Sequence, residues 1–188
     1  MIRVFKYLGL CQSYREALVS RIVRVDHAGE LGADQIYAGQ TVVLGGTEVG
    51  PVIQEMWDEE KEHLQTCERL LAKHDVAPTV FTPLFKKMAF GLGVGTALIG
   101  KEGAMACTIA VEDLIGRHYN EQIRRLIELG DDPETRELLA IVRKMRDDEM
   151  HHHDTGIEHH GLTAPAYETL KQVIQAGCKV AIFTAERV

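Results

Sequence analysis

The chain has 188 residues, of which 45% are hydrophobic and 26% charged, and its formal net charge is -7. This length suits one domain with a substantial core, and the acidic balance without a basic stripe argues against a nucleic-acid partner. Four scattered cysteines without a CxxC pair indicate reduced thiols in a reducing compartment and argue against a disulfide framework; they are Cys11, Cys67, Cys107 and Cys178.

The N-terminal segment, residues 1–20, is basic, with Arg3, Lys6 and Arg15 against Glu16. This composition is typical of the end of a mitochondrial targeting segment, and equally of a short basic start to a first helix. We assign the remainder, 21–188, to a single domain. Because the chain has no run of 18 apolar residues, a membrane span is not expected.

The rest of the chain alternates between helical periodicity and turn sequences rich in Gly, Pro and Asp. Strand-like alternation is scarce, so an all-α fold is predicted, with four long helices and two shorter segments. The segment at 84–100, LFKKMAFGLGVGTALIG, is expected to be hairpin-like. The predicted spans of the other helices are 21–44, 51–74, 101–129, 133–158 and 167–186.

The four long helices carry acidic residues and histidines in a repeated order. The first and third each contain a glutamate among small or apolar residues, and the second and fourth each contain Glu-x-x-His. Residues three apart in a helix project from one face, so each Glu and His of a pair lie side by side. A single such pair is expected by chance, but one in the middle of each of two helices is more specific. The set is Glu30, Glu60, His63, Glu112, Glu149 and His152.

The run EMHHH does not by itself identify its pair. Asp148 with His151 and Glu149 with His152 are both three apart, on faces rotated by about 100°. The pair in the second helix favours Glu149 and His152 by analogy. His151 and His153 would then point elsewhere.

This set favours a metal site. Glu112 lies within TIAVEDLIG, where apolar neighbours surround most of the helix. Burying a carboxylate without a partner costs several kcal/mol, and a cation is a suitable partner. Di-iron and di-manganese bundles have the same ligand set: two helices each supply one Glu, and two other helices each supply a Glu-x-x-His pair. The alternative is a set of solvated charge runs, to which we assign Glu59 and Glu62.

Several neighbouring residues allow two interpretations. His27 is either an outer partner of the site or a core histidine, and Asp26 or Asp148 is placed to orient a ligand histidine. His118 and Tyr119 follow Glu112 and suggest a redox or hydrogen-bonding role, or simply a buried tyrosine.

The uncharged run 88–100 is too short to span a bilayer. Lys86, Lys87 and Lys101 flank it, as expected for an element that touches anionic headgroups. A close-packed internal pair of helices explains its small residues equally well. The run lacks the GxGxxG spacing of a dinucleotide site.

Longer stretches around these residues resemble the demethoxyubiquinone hydroxylase family, the di-iron monooxygenases of ubiquinone synthesis, and the animal branch fits best. They are RVDHAGELGADQIYAGQ, VGPVIQEMWDEEKEHL, GKEGAMACTIAVEDLIGRHYNEQIR and APAYETLKQVIQAGCKVAI. The resemblance covers nearly all of 21–188. It implies a ferritin-like four-helix bundle with two additional membrane-facing helices.

The resemblance also implies a function and a site. The activity would be hydroxylation of the benzoquinone or benzoquinol ring of 5-demethoxyubiquinone, with O2 activated at a carboxylate-bridged iron pair. Two Fe ions would be held by the six residues above, and His118 and Tyr119 would have a catalytic, redox or quinone-contacting role. The family position two after Glu149 is often acidic and is His151 here, but it is not a ligand position.

The partners and location implied by the resemblance are specific. The substrate would be a prenylated demethoxyubiquinone, and NADH would be the electron donor. The protein would bind peripherally to the matrix side of the mitochondrial inner membrane. A lipid-binding partner protein of the same pathway and an oligomer or multi-protein complex are also implied. The alternatives are a ferritin-like ferroxidase and a metal-stabilised scaffold of a lipid-synthesis complex.

Overall fold

A computed structural model describes residues 2–188, with side chains from Ser13 onwards. In this part of the chain all regular structure is helical, which confirms the predicted all-α fold. Cys11 and the basic side chains Arg3 and Lys6 lie outside the described side chains. The helices are α1 (Ile2–Leu44), α2 (Gly50–Lys73), α3 (Thr82–Ala97), α4 (Lys101–Leu129), α5 (Pro133–Glu158) and α6 (Tyr167–Ala185), with a 3-10 turn at Gly161–Thr163.

Helix α1 begins well before Arg21, where its apolar periodicity was predicted to start. Leu18 and Val19 are buried in a core cluster with side chains of α2, α4 and α5. Arg15 pairs with Asp132 and donates to the Leu129 carbonyl at 3.2 Å, which ties α1 to the α4–α5 connection. These contacts join residues more than a hundred positions apart, so a local pattern does not reveal them.

The predicted starts of α2 and α5 agree with the structure for local reasons. Each helix has a proline in its first turn, where a missing backbone N–H costs nothing. Asp132 caps α5, since its side chain accepts hydrogen bonds from the backbone N–H groups of Glu134 and Thr135, both at 3.1 Å.

The expected hairpin-like segment at 84–100 is instead largely one helix, α3, which is followed by a turn at Gly100 with φ of 120°. Its glycines serve helix packing. A Cβ added at Gly93 would lie 2.1 Å from the Ile36 carbonyl oxygen, and one at Gly39 would lie 2.4 Å from that of Phe90. Helices α1 and α3 therefore approach closely because both lack side chains at the crossing.

The bundle leaves a polar layer between apolar ones. Helix α1 packs on α2 and α3, while α4 packs on α5 and α6. Along α2, Ile53 and Met56 belong to one apolar cluster, and Cys67 belongs to another. Glu60 and His63 lie between these clusters, and α1 and α4 have the same order of apolar, polar and apolar positions.

A third apolar cluster lies where α3 and α6 cover α1 and α4. It includes Leu92 of α3, Cys178 of α6 and Val111 of α4. None of the helices within the described residues combines the length and hydropathy needed to cross a membrane.

We expect Gly93→Ala to destabilise the fold by about 1–3 kcal/mol, because the added methyl group meets a backbone carbonyl. Gly95→Ala is the matched control on the same helix, since its Cβ would meet nothing within 4 Å. It should raise stability by about 0.5–1 kcal/mol through helix propensity. Urea denaturation measures the stability of both variants. Equal unfolding midpoints would contradict the close packing of Gly93 against α1.

Candidate metal centre

The structure brings all six predicted side chains into one buried cluster. Each of these side chains comes from one of the four long helices α1, α2, α4 and α5. None of the six residues is more than 3% exposed. They are Glu30, Glu60, His63, Glu112, Glu149 and His152.

The oxygen and nitrogen atoms of this cluster form two groups, and within each group they lie within 4.8 Å of one another. Glu30 and His63 belong to the first group, and Glu112 and His152 belong to the second. Glu60 and Glu149 belong to both. Each group therefore offers three carboxylates and one imidazole, and the two shared carboxylates are placed to bridge two cations.

The cluster is incomplete without cations. Glu30 Oε2, both carboxylate oxygens of Glu60 and His63 Nδ1 are buried without a hydrogen-bond partner. His63 Nδ1 lies 3.3 Å from Glu30 Oε2, yet it makes no well-directed hydrogen bond there. Leaving such atoms unpaired costs about 1–3 kcal/mol each. Two divalent ions would satisfy them together, and an oxygen-rich set without thiolates suits iron or manganese better than zinc.

Each histidine of the cluster turns its other ring nitrogen to an outer carboxylate. His63 Nε2 lies 2.9 Å from Asp148 Oδ2, and His152 Nε2 lies 2.8 Å from Glu59 Oε2. A proton on Nε2 donated to these acids leaves Nδ1 free to bind a cation. The structure thus places Asp148, but not Asp26, beside a histidine of the cluster.

Glu59 was assigned to the solvated residues, and that interpretation misses a contact with the cluster. Its side chain is 43% exposed, but its carboxylate reaches the fully buried His152. A signal was available in the sequence. An acidic residue directly precedes the glutamate of each Glu-x-x-His pair, as Glu59 does before Glu60 and Asp148 before Glu149.

Two buried tyrosines contact the other two glutamates. The Tyr119 hydroxyl donates to Glu30 Oε1, and the Tyr37 hydroxyl lies 3.4 Å from Glu112 Oε1. Each tyrosine follows a glutamate by seven residues on its own helix and contacts the glutamate of the other helix. Sequence reasoning missed Tyr37, although the repeated Glu-x6-Tyr spacing in α1 and α4 was visible.

His118 lies away from the cluster, because successive helical residues diverge by about 100°. It lines a cleft of about 110 Å³ between α1, α4 and α6. Its Nε2 is 3.0 Å from Gln122 Nε2, which also donates to Asp26 Oδ1 at 2.6 Å. Burial raises the pKa of Asp26 to about 7, against the opposing effect of the Gln122 hydrogen bond.

The remaining histidines also lie outside the two groups. His27 is buried, and its Nδ1 has no hydrogen-bond partner. The charges of Glu68 and Lys86 act on its ring. His151 is exposed, and His153 Nδ1 lies 3.0 Å from Asp154 Oδ1.

The ionisable groups of the cluster have strongly shifted pKa values. Burial, with repulsion from Glu149, raises the pKa of both Glu30 and Glu112 well above the ordinary value. Burial lowers the pKa of His63 and His152, but adjacent carboxylates more than reverse this and raise the pKa of His152 to about 12. Burial also opposes ionisation of Glu60, yet the two imidazoles lower its pKa to about 2.

Comparison with known proteins gives a consistent result. The model of the family described as Ubiquinone biosynthesis protein COQ7 matches residues 17–185. A Caenorhabditis elegans protein named NADPH-dependent 3-demethoxyubiquinone 3-hydroxylase, mitochondrial, is 62% identical over the whole length of both chains. The human protein of that name is 59% identical over 91% of this chain and 78% of its own.

A more distant relative has a related name. The Saccharomyces cerevisiae protein named 5-demethoxyubiquinone hydroxylase, mitochondrial, is 43% identical over 95% of this chain and 83% of its own. The matches confirm the predicted resemblance. They differ from it in one detail, since the animal relatives are named for NADPH and the resemblance implied NADH.

We expect binding of a divalent cation pair to release protons. His152, whose pKa is raised to about 12, carries a proton at pH 7 and must lose it to bind a cation, and the raised pKa of Glu112 acts in the same direction. Apparent affinity for Mn²⁺ should therefore fall as pH falls, by at least about tenfold per pH unit. Calorimetry in buffers of different ionisation enthalpy measures the release, and a flat affinity between pH 6 and 8 would contradict this account.

Proposed function

This chain belongs to the family of the ubiquinone biosynthesis protein COQ7, and from that premise we propose that it is a demethoxyubiquinone hydroxylase. It adds oxygen from O2 to the benzoquinone or benzoquinol ring of a prenylated demethoxyubiquinone. The observation that supports this most directly is the pair of buried groups that share Glu60 and Glu149, because it matches the ligand set of carboxylate-bridged di-iron bundles.

In this proposal two iron ions are held within a ferritin-like bundle. Glu30 and His63 would hold one ion, Glu112 and His152 would hold the other, and the shared Glu60 and Glu149 would serve both. The four carboxylates would balance the charge of two ferrous ions. A bound iron pair supplies the activation of O2, which amino-acid side chains cannot provide. Asp148 and Glu59 fix the two imidazole rings in the orientation that iron binding needs.

The protein keeps water from this chemistry. The neighbours of Glu112 on α4 are almost fully buried, with Ile109 1% and Val111 6% exposed. Excluding water from the site protects a reactive oxidant from side reactions. The Tyr119 hydroxyl supports Glu30 by donating a hydrogen bond to it.

The catalytic roles of His118 and Tyr119 stay predictions. Tyr119 is placed to hold or move a proton at Glu30, whereas His118 faces the cleft beside α6 and is open to a quinone or a reductant. The electron donor is a reduced nicotinamide nucleotide. We favour NADPH over NADH because the animal relatives are named for it.

A prenylated substrate requires contact with a lipid bilayer. Side chains of α3 and α6 share one apolar cluster with α1 and α4, and the two helices expose large apolar side chains, including Met88 at 63%, Val180 at 65% and Phe183 at 58%. Lys86 and Lys87 lie next to this apolar surface and complement anionic headgroups. These features support peripheral binding through α3 and α6.

The cellular setting follows from the relatives. Their names include the word mitochondrial, which supports a mitochondrial location. The matrix side of the inner membrane stays a prediction from the resemblance. Assembly into an oligomer and binding of a lipid-binding partner protein of the same pathway remain predictions from the resemblance.

We expect Glu112→Ala to lower conversion of a demethoxyubiquinol to its hydroxylated product by at least about a hundredfold, since it removes a ligand of one iron. Glu128→Ala, an exposed position on the same helix, is the matched control and should retain activity. Mass spectrometry of the quinones measures both. Conversion that survives Glu112→Ala would favour the alternatives, a ferroxidase or a metal-stabilised scaffold.

Membrane binding through α3 and α6 can be tested by flotation with vesicles that contain anionic lipid. The double variant Met88→Asp with Val180→Asp should lose most of the bound fraction, because it places charge on the apolar surface. The control replaces Met150 and Ile127, which are exposed on α5 and α4, with Asp. Equal loss in both variants, or no flotation of the parent protein, would contradict the proposed surface.

A further inference from the structure

The two halves of the cluster are related by a repeat, but the structure supports them unequally. In the half with His63, the outer acid Asp148 also accepts a hydrogen bond from Lys144, at 2.5 Å, and its side chain is 26% exposed. In the half with His152, the outer acid Glu59 is 43% exposed, and no lysine in the described part of the chain is hydrogen-bonded to it. The His63 ring is therefore held more firmly.

The tyrosines show the same inequality. Tyr119 donates a hydrogen bond to Glu30, whereas Tyr37 approaches Glu112 only to 3.4 Å and also lies 3.7 Å from the Met56 sulfur. An O–H···O distance of 3.4 Å lies beyond the usual range of about 2.5–3.0 Å, so the contact of Tyr37 with Glu112 is weak. Glu30 is thus fixed in place, and Glu112 is freer to change how it binds a cation.

A small cavity lies beside the less supported half. It has a volume of about 20 Å³, enough for roughly one water molecule. The fully buried His152 forms part of its wall, together with Met56, Glu59 and the exposed His151. A small ligand can therefore come close to the half of the cluster that contains His152.

From these three differences we infer that the two metal positions are unequal. The position of Glu30 and His63 binds its ion more tightly and fills first. The position of Glu112 and His152 binds its ion more weakly and is the one at which a ligand is replaced, with Tyr37 as a positioning residue. This inference rests on the proposed function to the extent that the cluster must hold two cations.

Anaerobic titration of the metal-free protein with Fe²⁺, followed by calorimetry, tests the inference. The parent protein should bind two ions per chain in two steps whose dissociation constants differ by at least about tenfold. Asp148→Asn should weaken the tighter step by about 10–100-fold and bring the two steps together. Glu59→Gln is the matched variant of the other half and should weaken only the second step, which widens the separation.

The tyrosines allow the same comparison from the opposite side of the cluster. Tyr119→Phe should weaken the first step, and Tyr37→Phe should affect only the second. Far-ultraviolet circular dichroism verifies that each variant is folded.

The possible outcomes separate the inference from the proposed function. A total other than two ions per chain would refute the proposed di-iron site. Two ions that bind with equal affinity would keep that site and overturn the inequality. A Glu59→Gln variant that weakens the tighter step would overturn the assignment of the weak position to Glu112 and His152.

Discussion

Repulsion among four carboxylates buried in one small volume is the constraint on which the rest of the structure depends. Burial, and after it repulsion from Glu149, raises the pKa of Glu30 and Glu112, and only protons or cations relieve the repulsion. Two imidazoles are too few to neutralise the set. A fold that keeps all four acids nearly inaccessible to water is therefore suited to a binding partner of high positive charge.

The helical bundle meets this constraint by repeating one unit. The pair α1–α2 and the pair α4–α5 each supply Glu-x6-Tyr on one helix and an acid followed by Glu-x-x-His on the other. The supporting contacts cross between the pairs, since Tyr119 reaches Glu30 and Asp148 reaches His63. Neither helix pair supplies all the hydrogen-bond partners of its own cluster residues, so the cluster couples the two halves of the fold.

Local pattern was enough to predict most of this architecture. Helix type, the starts of α2 and α5 and the six clustered residues follow from periodicity, proline positions and repeated spacing. The missed features depend on contacts between distant helices. Glu59 appears solvated until α5 places His152 beside it, and the glycines of α3 suggest a turn until α1 presents Gly39 and the Ile36 carbonyl.

The position of Glu112 connects α3 and α6 to the carboxylate cluster. Its neighbour Val111 packs in the apolar cluster formed with α3 and α6, so one turn of α4 faces both that cluster and the carboxylates. If the quinone ring approaches through the apolar cluster that contains Val111, it comes to the side of α4 that carries Glu112, while the cavity beside His152 opens near Glu59 and His151. On the proposed function, the less firmly supported half is therefore the one that both the ring and a small molecule would reach.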